Sequence, residues 1–482
     1  MNSPVVPMIL RGEVITSDLV EVPARGANIA FLTPDAHKYI DRIPLGHPRK
    51  MSDLYQISFD EILDFLVELG NALDIRSNAY LQEARELTYA ASPMTPTLID
   101  YFYANVGAGF DRAFLRDMAE TDIGIDRLEG WVEQRVATGP RTRVRCFGSC
   151  ALHIAAGNGP AGMTIALVRN ALTRSDAIVK SPSNDPFTGP AVLRTMCDLD
   201  ASHPLTKHMS VAYWRGGDVA FEEKLYQPHN IEKIIAWGGY ASVKHVTQYI
   251  QPGLELISLD PKRSASIIGA EAFADEQAMR EASLRLASDF GGFNQVGCTN
   301  SRVAYVLSGS DDEGLEKANQ LGQMAYDALH TLPDRYSTKP KEYPAALRMK
   351  INALRLQDDF YKVIGGQDDE GAVIVSQFPE AVDFMPELDA RTINIVPVDT
   401  LDEVLDACDA YTQTVGIYPE SLKHELNDRL PLFGAQRLVS LGYASDVTVA
   451  GPQDAIEPMA RMVKWVVDEI NSPETREPLW VA

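Results

Sequence analysis

Hydrophobic positions along the chain change texture near residue 140. Before it, the run FDEILDFLVELGNAL has apolar residues at helical spacing with Asp60 and Glu61 near its start, which predicts a helix from Ser58 to about Ala90. Further helical segments are expected from about Thr97 to Gln134, and ATGPRTRV (137–144) interrupts them. Beyond that point short apolar runs alternate with helix-length segments: RVRCFGSCALHIAAG, MTIALVRNALTRS, DAIVKSP, HMSVAYWRG, EKIIAWGG and LELISLD. Such alternation predicts an α/β fold with a largely parallel, doubly wound sheet. DEQAMREASLRLASDF (275–290) reads as an amphipathic helix stopped by Gly291 and Gly292. SRVAYVLSG then reads as a strand, and DEGLEKANQLGQMAYDALHTL as a helix. A second αβ region continues to about Leu441, and EPMARMVKWVVDEI (457–470) is expected to be a final helix. VVPMIL and GANIAFLT, before residue 55, read as strands or loops.

At 482 residues the chain exceeds one compact core, so two or three domains are expected. The formal net charge of −23 argues against a nucleic-acid partner, which needs clustered cations, and leaves room only for a local basic pocket. Five cysteines, Cys146, Cys150, Cys197, Cys298 and Cys408, are too few and too scattered for a disulfide framework. No second Cys or His pair completes a zinc site with Cys146 and Cys150, and no metal site is expected. Neither a secretory leader nor a membrane-length apolar run is visible, so the expected setting is reducing and cytoplasmic, where a thiol stays reactive.

Four segments carry candidate chemistry. In ALHIAAGNGPAGMTIALVRNAL an apolar strand meets a turn with Asn158, whose amide is a neutral donor, although Gly and Asn are also ordinary turn residues. DAIVKSPSNDP places Lys180 at the carboxyl end of a strand, where parallel sheets bind nucleotides. EKIIAWGGYASVKHVTQYI runs a strand into Gly238 and Gly239 and then a helix whose free N–H groups suit phosphate, without a full G-x-G-x-x-G pattern. DFGGFNQVGCTNSRVAYV sets Cys298 in a polar loop, read as a mobile setting able to expose a thiolate; a buried structural cysteine is the alternative. His153 and His245 flank these segments and are expected to be structural.

The order of these four, an Asn turn, a Lys strand end, a Gly-pair turn and a Cys in a G-x-N-Q-x-x-C loop, resembles the aldehyde dehydrogenase superfamily over about 130–440. PMILRGEVI, LDPKRSA and PQDAIEPMARMVKWVVDE make the chain most similar to its acyl-CoA reductase branch, related to the fatty acid reductase of bacterial luminescence. The resemblance implies an aldehyde dehydrogenase-like fold. A cofactor domain over 1–272 would precede a catalytic domain over 273–440, and segments 127–142 and 441–482 would form a small oligomerisation element of a homo-oligomer. Cys298 would accept the acyl group, and Asn158 would hold the oxyanion. Lys180 would bind the adenosine ribose, Gly238 and Gly239 would face the pyrophosphate, and Glu387 would hold the nicotinamide ribose, although Asp389 replaces the aromatic residue expected two positions after it.

Two departures from the family pattern matter. Hydrolytic members carry L-E-L-G-G-K-S, whose Glu activates water; ISLDPKRS here puts Ser258 in that place, with Asp260 nearby in sequence. A neutral Ser183 stands three residues past Lys180, where many NAD-preferring members have a Glu that repels a 2′-phosphate, which points to NADPH over NADH. The resulting expectation is reduction of an acyl-CoA thioester to an aldehyde and free coenzyme A, with a partner enzyme able to supply the acyl group. Oxidation of an aldehyde to a carboxylic acid, and a non-catalytic acyl-carrying scaffold, are the competing readings.

Overall fold

The computed structural model describes residues 3–24, 29–134, 141–259, 262–471 and 479–480. The chain forms two compact units: Met1–Ser92 with Phe102–Asp260 and Val449–Ala482, and Pro93–Tyr101 with Pro261–Thr448. The crossing at 260/261 comes ahead of the expected 272/273, because strand Arg263–Ile268 pairs with Ser301–Val306 and Thr412–Tyr418 in the second sheet.

The first unit holds a seven-stranded sheet in the order Glu255–Leu259, Lys233–Trp237, Cys150–Ile154, Asp176–Lys180, Met209–Ala212, Met8–Leu10, Glu13–Ile15. Its first five strands are mutually parallel, and the last two join antiparallel. Alternation along the strands separates two faces. Leu152, Ile154 and Ile234 pack with Phe221 and Tyr226, while Ala151, Ile235 and Ile257 pack with Met462. Strand direction of travel reverses between Cys150–Ile154 and Lys233–Trp237: the chain first adds 176–180 and 209–212 on one side, then 233–237 and 255–259 on the other. Crevices at the carboxyl ends of such a switch are where open α/β sheets bind ligands.

The second unit holds a seven-stranded sheet in the order Tyr361–Gly365, Ala372–Ser376, Thr392–Pro397, Ser301–Val306, Arg263–Ile268, Thr412–Tyr418, Arg437–Ser440, parallel except for the first pair. The expected helices are Glu276–Gly291 and Asp312–Leu329, and both pack on Ala304, Val306, Ile393 and Ile395.

Two expected helices differ. The long helix after Ser58 is two helices, Phe59–Ala72 and Ala79–Ala91. Ser58 and Glu61 form a capping box on the first, and Asn78 caps the second by accepting from Leu81 N–H at 2.9 Å. The expected final helix is helical only over Pro458–Met462. Lys464–Ile470 is instead a strand, antiparallel to Arg141–Phe147, which also pairs with Val132–Gln134. KWVVDEI carries an aromatic and β-branched residues suited to a pleated ribbon, and a partner more than 300 positions away in sequence overrides its local helical period. The pairing joins parts of the two segments expected to form an oligomerisation element; 135–140 and 472–478 lie outside the described residues.

At the amino ends of the first unit's strands, His208 is buried between two carboxylates: Nδ1 is 2.9 Å from Asp176 and Nε2 2.8 Å from Asp53. Arg11 binds the other oxygen of Asp176 at 2.9 Å. Burial opposes the imidazolium, but the Asp176 and Asp53 hydrogen bonds and charges outweigh it and raise its pKa above 6.5. Stability from this charge is therefore fully present below the unfolded value near 6.5 and lost as pH rises through the folded value. His208→Gln is expected to cost about 3 kcal/mol at pH 6 and clearly less at pH 9 in chemical denaturation, since it strands a buried carboxylate only where the imidazolium was charged.

Candidate active site

Five of the residues singled out from the sequence follow the carboxyl ends of three adjacent strands in the first unit. Asn158 follows Cys150–Ile154 and is exposed; Lys180 ends Asp176–Lys180, with exposed Ser183 behind it; Gly238 and Gly239 follow Lys233–Trp237. The Asn158 turn is tied to the Ser183 turn by Asn184, whose Nδ2 donates to Gly157 O at 2.6 Å. A Cβ on Gly157 would lie 1.7 Å from Asn184 Oδ1, so that glycine is required by the amide packed against it. Gly159 has φ +125°, a conformation that favours glycine, and the helix Pro160–Leu172 starts directly after it.

The ammonium of half-buried Lys180 lies 5.9 Å from the Tyr213 ring and 5.7 Å from the Trp214 ring. Desolvation lowers its pKa to about 8, with Glu222 pulling the other way. Gly239 has ordinary extended angles and nothing within 4 Å of a built Cβ, so neither backbone strain nor packing inside the chain demands glycine there. Open space over this turn, next to the switch point and with a cation at the end of the second strand along, fits the phosphates and ribose of a dinucleotide. Burial holds His153 near pKa 4, and His245 Nε2 lies 2.6 Å from a Glu222 carboxylate oxygen.

Cys298 lies in the second unit, half-buried, between the helix Glu276–Gly291 and the strand Ser301–Val306. The polar residues around it fix the loop instead of loosening it. Phe293, Asn294 and Gln295 are all left-handed, with φ of 48°, 56° and 65°, which non-glycine residues seldom adopt. Gln295 is fully buried; its Nε2 donates to Ser301 O at 2.8 Å and Thr392 O at 2.9 Å, and its Oε1 accepts from Thr392 N–H at 2.9 Å. Asn294 accepts from Thr338 N–H at 2.9 Å. Asn300 Nδ2 donates to Asp289 O at 3.0 Å and Gly292 O at 3.1 Å, while its Oδ1 accepts from Gly297 N–H at 3.1 Å. The carbonyl of Cys298 itself accepts from Ser264 Oγ at 2.7 Å.

Charged groups line this loop that the sequence reading did not single out. Asp289 is fully buried, its Oδ1 accepting from Ala444 N–H at 3.0 Å; burial pushes its pKa up to about 7 against the pull of the Ala444 and Gly442 N–H groups, Arg437 and Arg285. Arg302 and Arg437 both interact electrostatically with Cys298. Arg302 stands inside the Cys segment but carries no motif signal of its own, and Arg437 is remote from it in sequence. Phe293 is flanked by Tyr101 and Tyr336, at ring separations of 5.8 Å and 5.0 Å. Those tyrosines also line, with Leu284, Leu332 and Tyr443, an open groove of about 530 Å³.

Glu387 sits on a short turn, exposed, with its carboxylate 2.6 Å from Lys350 Nζ. Asp389 is half-buried; burial raises its pKa, opposed by the Ala390 N–H and Arg302. Ser258 lies half-buried in Glu255–Leu259, opposite Ala236 of the neighbouring strand, whereas Asp260 lies outside the described residues. Among the described residues no group of His, Cys, Asp and Glu could hold a metal ion. Gln295→Ala is expected to lower stability by about 2–4 kcal/mol in denaturant unfolding, because it leaves one buried N–H and two buried carbonyls without partners.

The fold is shared with aldehyde dehydrogenases. Lactaldehyde dehydrogenase from Escherichia coli superposes with a TM-score of 0.71 at 14% identity, covering 98% of this chain and 100% of that one. NADP-dependent glyceraldehyde-3-phosphate dehydrogenase from Bacillus halodurans C-125 gives 0.72 at 13% identity, with 98% and 100% covered. Among curated proteins, the long-chain acyl-protein thioester reductase of Aliivibrio fischeri is 25% identical over 429 residues, 87% of this chain and 84% of its own length. That of Vibrio harveyi is 23% identical over 427 residues, 86% and 84% respectively. The model of the family described as acyl-CoA reductase (LuxC) matches residues 54–465. With that match spanning both units and the Cys298 turn, the chain belongs to the acyl-CoA reductase (LuxC) family, as an acyl-thioester-reducing oxidoreductase built on the aldehyde dehydrogenase fold.

Proposed function

We propose that the chain reduces an acyl thioester to an aldehyde with NADPH through an acyl-enzyme on Cys298. The observation that carries this reading is the Cys298 turn, whose left-handed backbone is held by three buried amides; by the sequence resemblance, a hydroxyl, Ser258, would stand in the place of the water-activating carboxylate. Strain maintained by surrounding hydrogen bonds is concentrated at functional sites.

In this mechanism the Cys298 sulfur attacks the thioester carbonyl, and the thiol of the donor leaves with a proton. Asn158 supplies an N–H to the developing oxyanion, with the Cys298 backbone N–H as second donor. When bound, a reduced nicotinamide would supply the hydride equivalent. Cys298 then departs as a thiolate from the resulting thiohemiacetal, and the aldehyde is released. Lys180 and Ser183 would hold the adenosine ribose and its 2′-phosphate, and Gly238 and Gly239 would let the pyrophosphate approach the backbone. Glu387 serves the nicotinamide ribose in this reading, for which its Lys350 partner would have to yield. With no carboxylate at 258, the acyl-enzyme is protected from hydrolysis, since a serine hydroxyl is a poor proton acceptor near neutral pH.

The donor thiol is the finer point. Coenzyme A follows from the sequence resemblance and the family description, whereas the names of the curated relatives specify acyl-protein. The two share the bond that Cys298 attacks. We therefore propose a protein-bound acyl thioester as a donor beside acyl-CoA, delivered by a partner protein.

Long-chain acyl-CoA and an acylated carrier protein, each with NADPH, are expected to give aldehyde and free thiol, while Cys298→Ala forms no acyl-enzyme and keeps dinucleotide binding. Thiol release by Cys298→Ala, or sustained acid production from aldehyde and NADP without any thiol acceptor, would overturn the reading.

Lys180 gives a separate test. Affinity for NADPH in fluorescence titration is expected to fall as pH rises through about 8, where the ammonium loses its proton. Lys180→Met should bind about tenfold more weakly at pH 7, a charged hydrogen bond's worth, and show no such decline.

A further inference from the structure

A free thiol is only a few per cent ionised at neutral pH, and this chain has Ser258 where a carboxylate base would stand. Its net charge of −23 also sets an overall field that favours the protonated thiol. Local cations oppose that field. Arg302 stands four residues past Cys298 in the strand Ser301–Val306, and its Nη1 holds Asn300 O at 3.1 Å, inside the same turn. Arg437 begins the strand Arg437–Ser440 and donates to Ala444 O at 2.8 Å and Thr414 Oγ1 at 3.4 Å. Thr414 N–H donates to Ser264 Oγ at 3.2 Å, and that hydroxyl holds Cys298 O. Both guanidinium groups are thus carried by elements tied to the turn, and both feel the charge of the Cys298 sulfur.

The remaining charges around them are few. Arg263 adds a third cation near Arg302. Asp389 faces Arg302, and Asp289 and Asp446 face Arg437. Burial raises the pKa of both Asp389 and Asp289, so these carboxyls neutralise the arginines less than exposed ones would.

We propose that Arg302 and Arg437 are positioning residues that hold the Cys298 sulfur as a thiolate by charge. The thiol proton leaves to solvent, and no other bond changes. The proposal rests on Cys298 being the acyl acceptor, but its test reads the thiol directly.

The experiment is the pH dependence of Cys298 alkylation by iodoacetamide on the full-length protein without substrate, followed by peptide mapping so that the other four cysteines are read separately. The wild-type midpoint is expected clearly below the ordinary thiol value of about 8.5. Arg302→Met and Arg437→Met should each raise it by about one unit, slowing alkylation at pH 6.5 about tenfold, as loss of a nearby opposite charge does. Arg302→Lys and Arg437→Lys should restore most of the shift. A wild-type midpoint at or above that of a free thiol overturns the proposal without any variant. Unchanged midpoints in the folded Met variants, with only KM for the acyl donor raised, also overturn it and assign the arginines to donor binding. Failure of the acyl-acceptor reading would show differently, as acyl transfer surviving in Cys298→Ala with the thiol titration intact.

Discussion

The Cys298 turn depends on burying backbone that belongs to neither helix nor strand, and side-chain amides are what make that possible. Buried N–H and C=O groups must be paired, and an amide carries both donors and acceptors in one short side chain. Gln295 serves both directions of the Thr392 backbone while binding Ser301 O, and Asn300 closes the turn across Gly297 and Gly292. Three consecutive left-handed residues are tolerable only because these bonds over-determine them. The helix Glu276–Gly291 and the strand Ser301–Val306 then hold the turn at the amino end of the sheet's central strand, with Ser264 fixing the Cys298 carbonyl from the neighbouring strand.

That rigid frame also carries an electrostatic one. Carboxyl groups outnumber cationic ones along the chain, yet the two beside this turn, buried Asp289 and half-buried Asp389, are pushed toward their neutral forms, while arginines approach from two strands. A site on an acidic protein can in this way be locally cationic, because the field at a half-buried atom is set by its nearest charges more than by the net charge.

The first unit solves a similar problem with different parts. Its candidate residues sit on three loops that follow adjacent parallel strands, and Asn184 ties two of those loops together through Gly157. The glycine there answers to its neighbouring amide, whereas Gly239 answers to nothing within the chain. This difference separates a glycine that builds the scaffold from one that leaves room.

Strand and helix alternation after residue 140, the helices around 276–291 and 312–329, and the Asn, Lys, Gly-pair and Cys segments were legible in the sequence, because each rests on local period or on residues close together in the chain. The conversion of KWVVDEI from expected helix to strand was not, since its partner Arg141–Phe147 is remote and only pairing reveals it. Nor was the order of the strands, which places Asn158 and Gly238 on either side of the switch point. The amide-rich loop was visible as polar, and polarity alone suggested mobility; only the tertiary structure shows each amide spent on a buried backbone group. Arg437 became a neighbour of Cys298 for the same reason: the sequence determined which residues carry charge, and folding decided which of them share a low-dielectric neighbourhood.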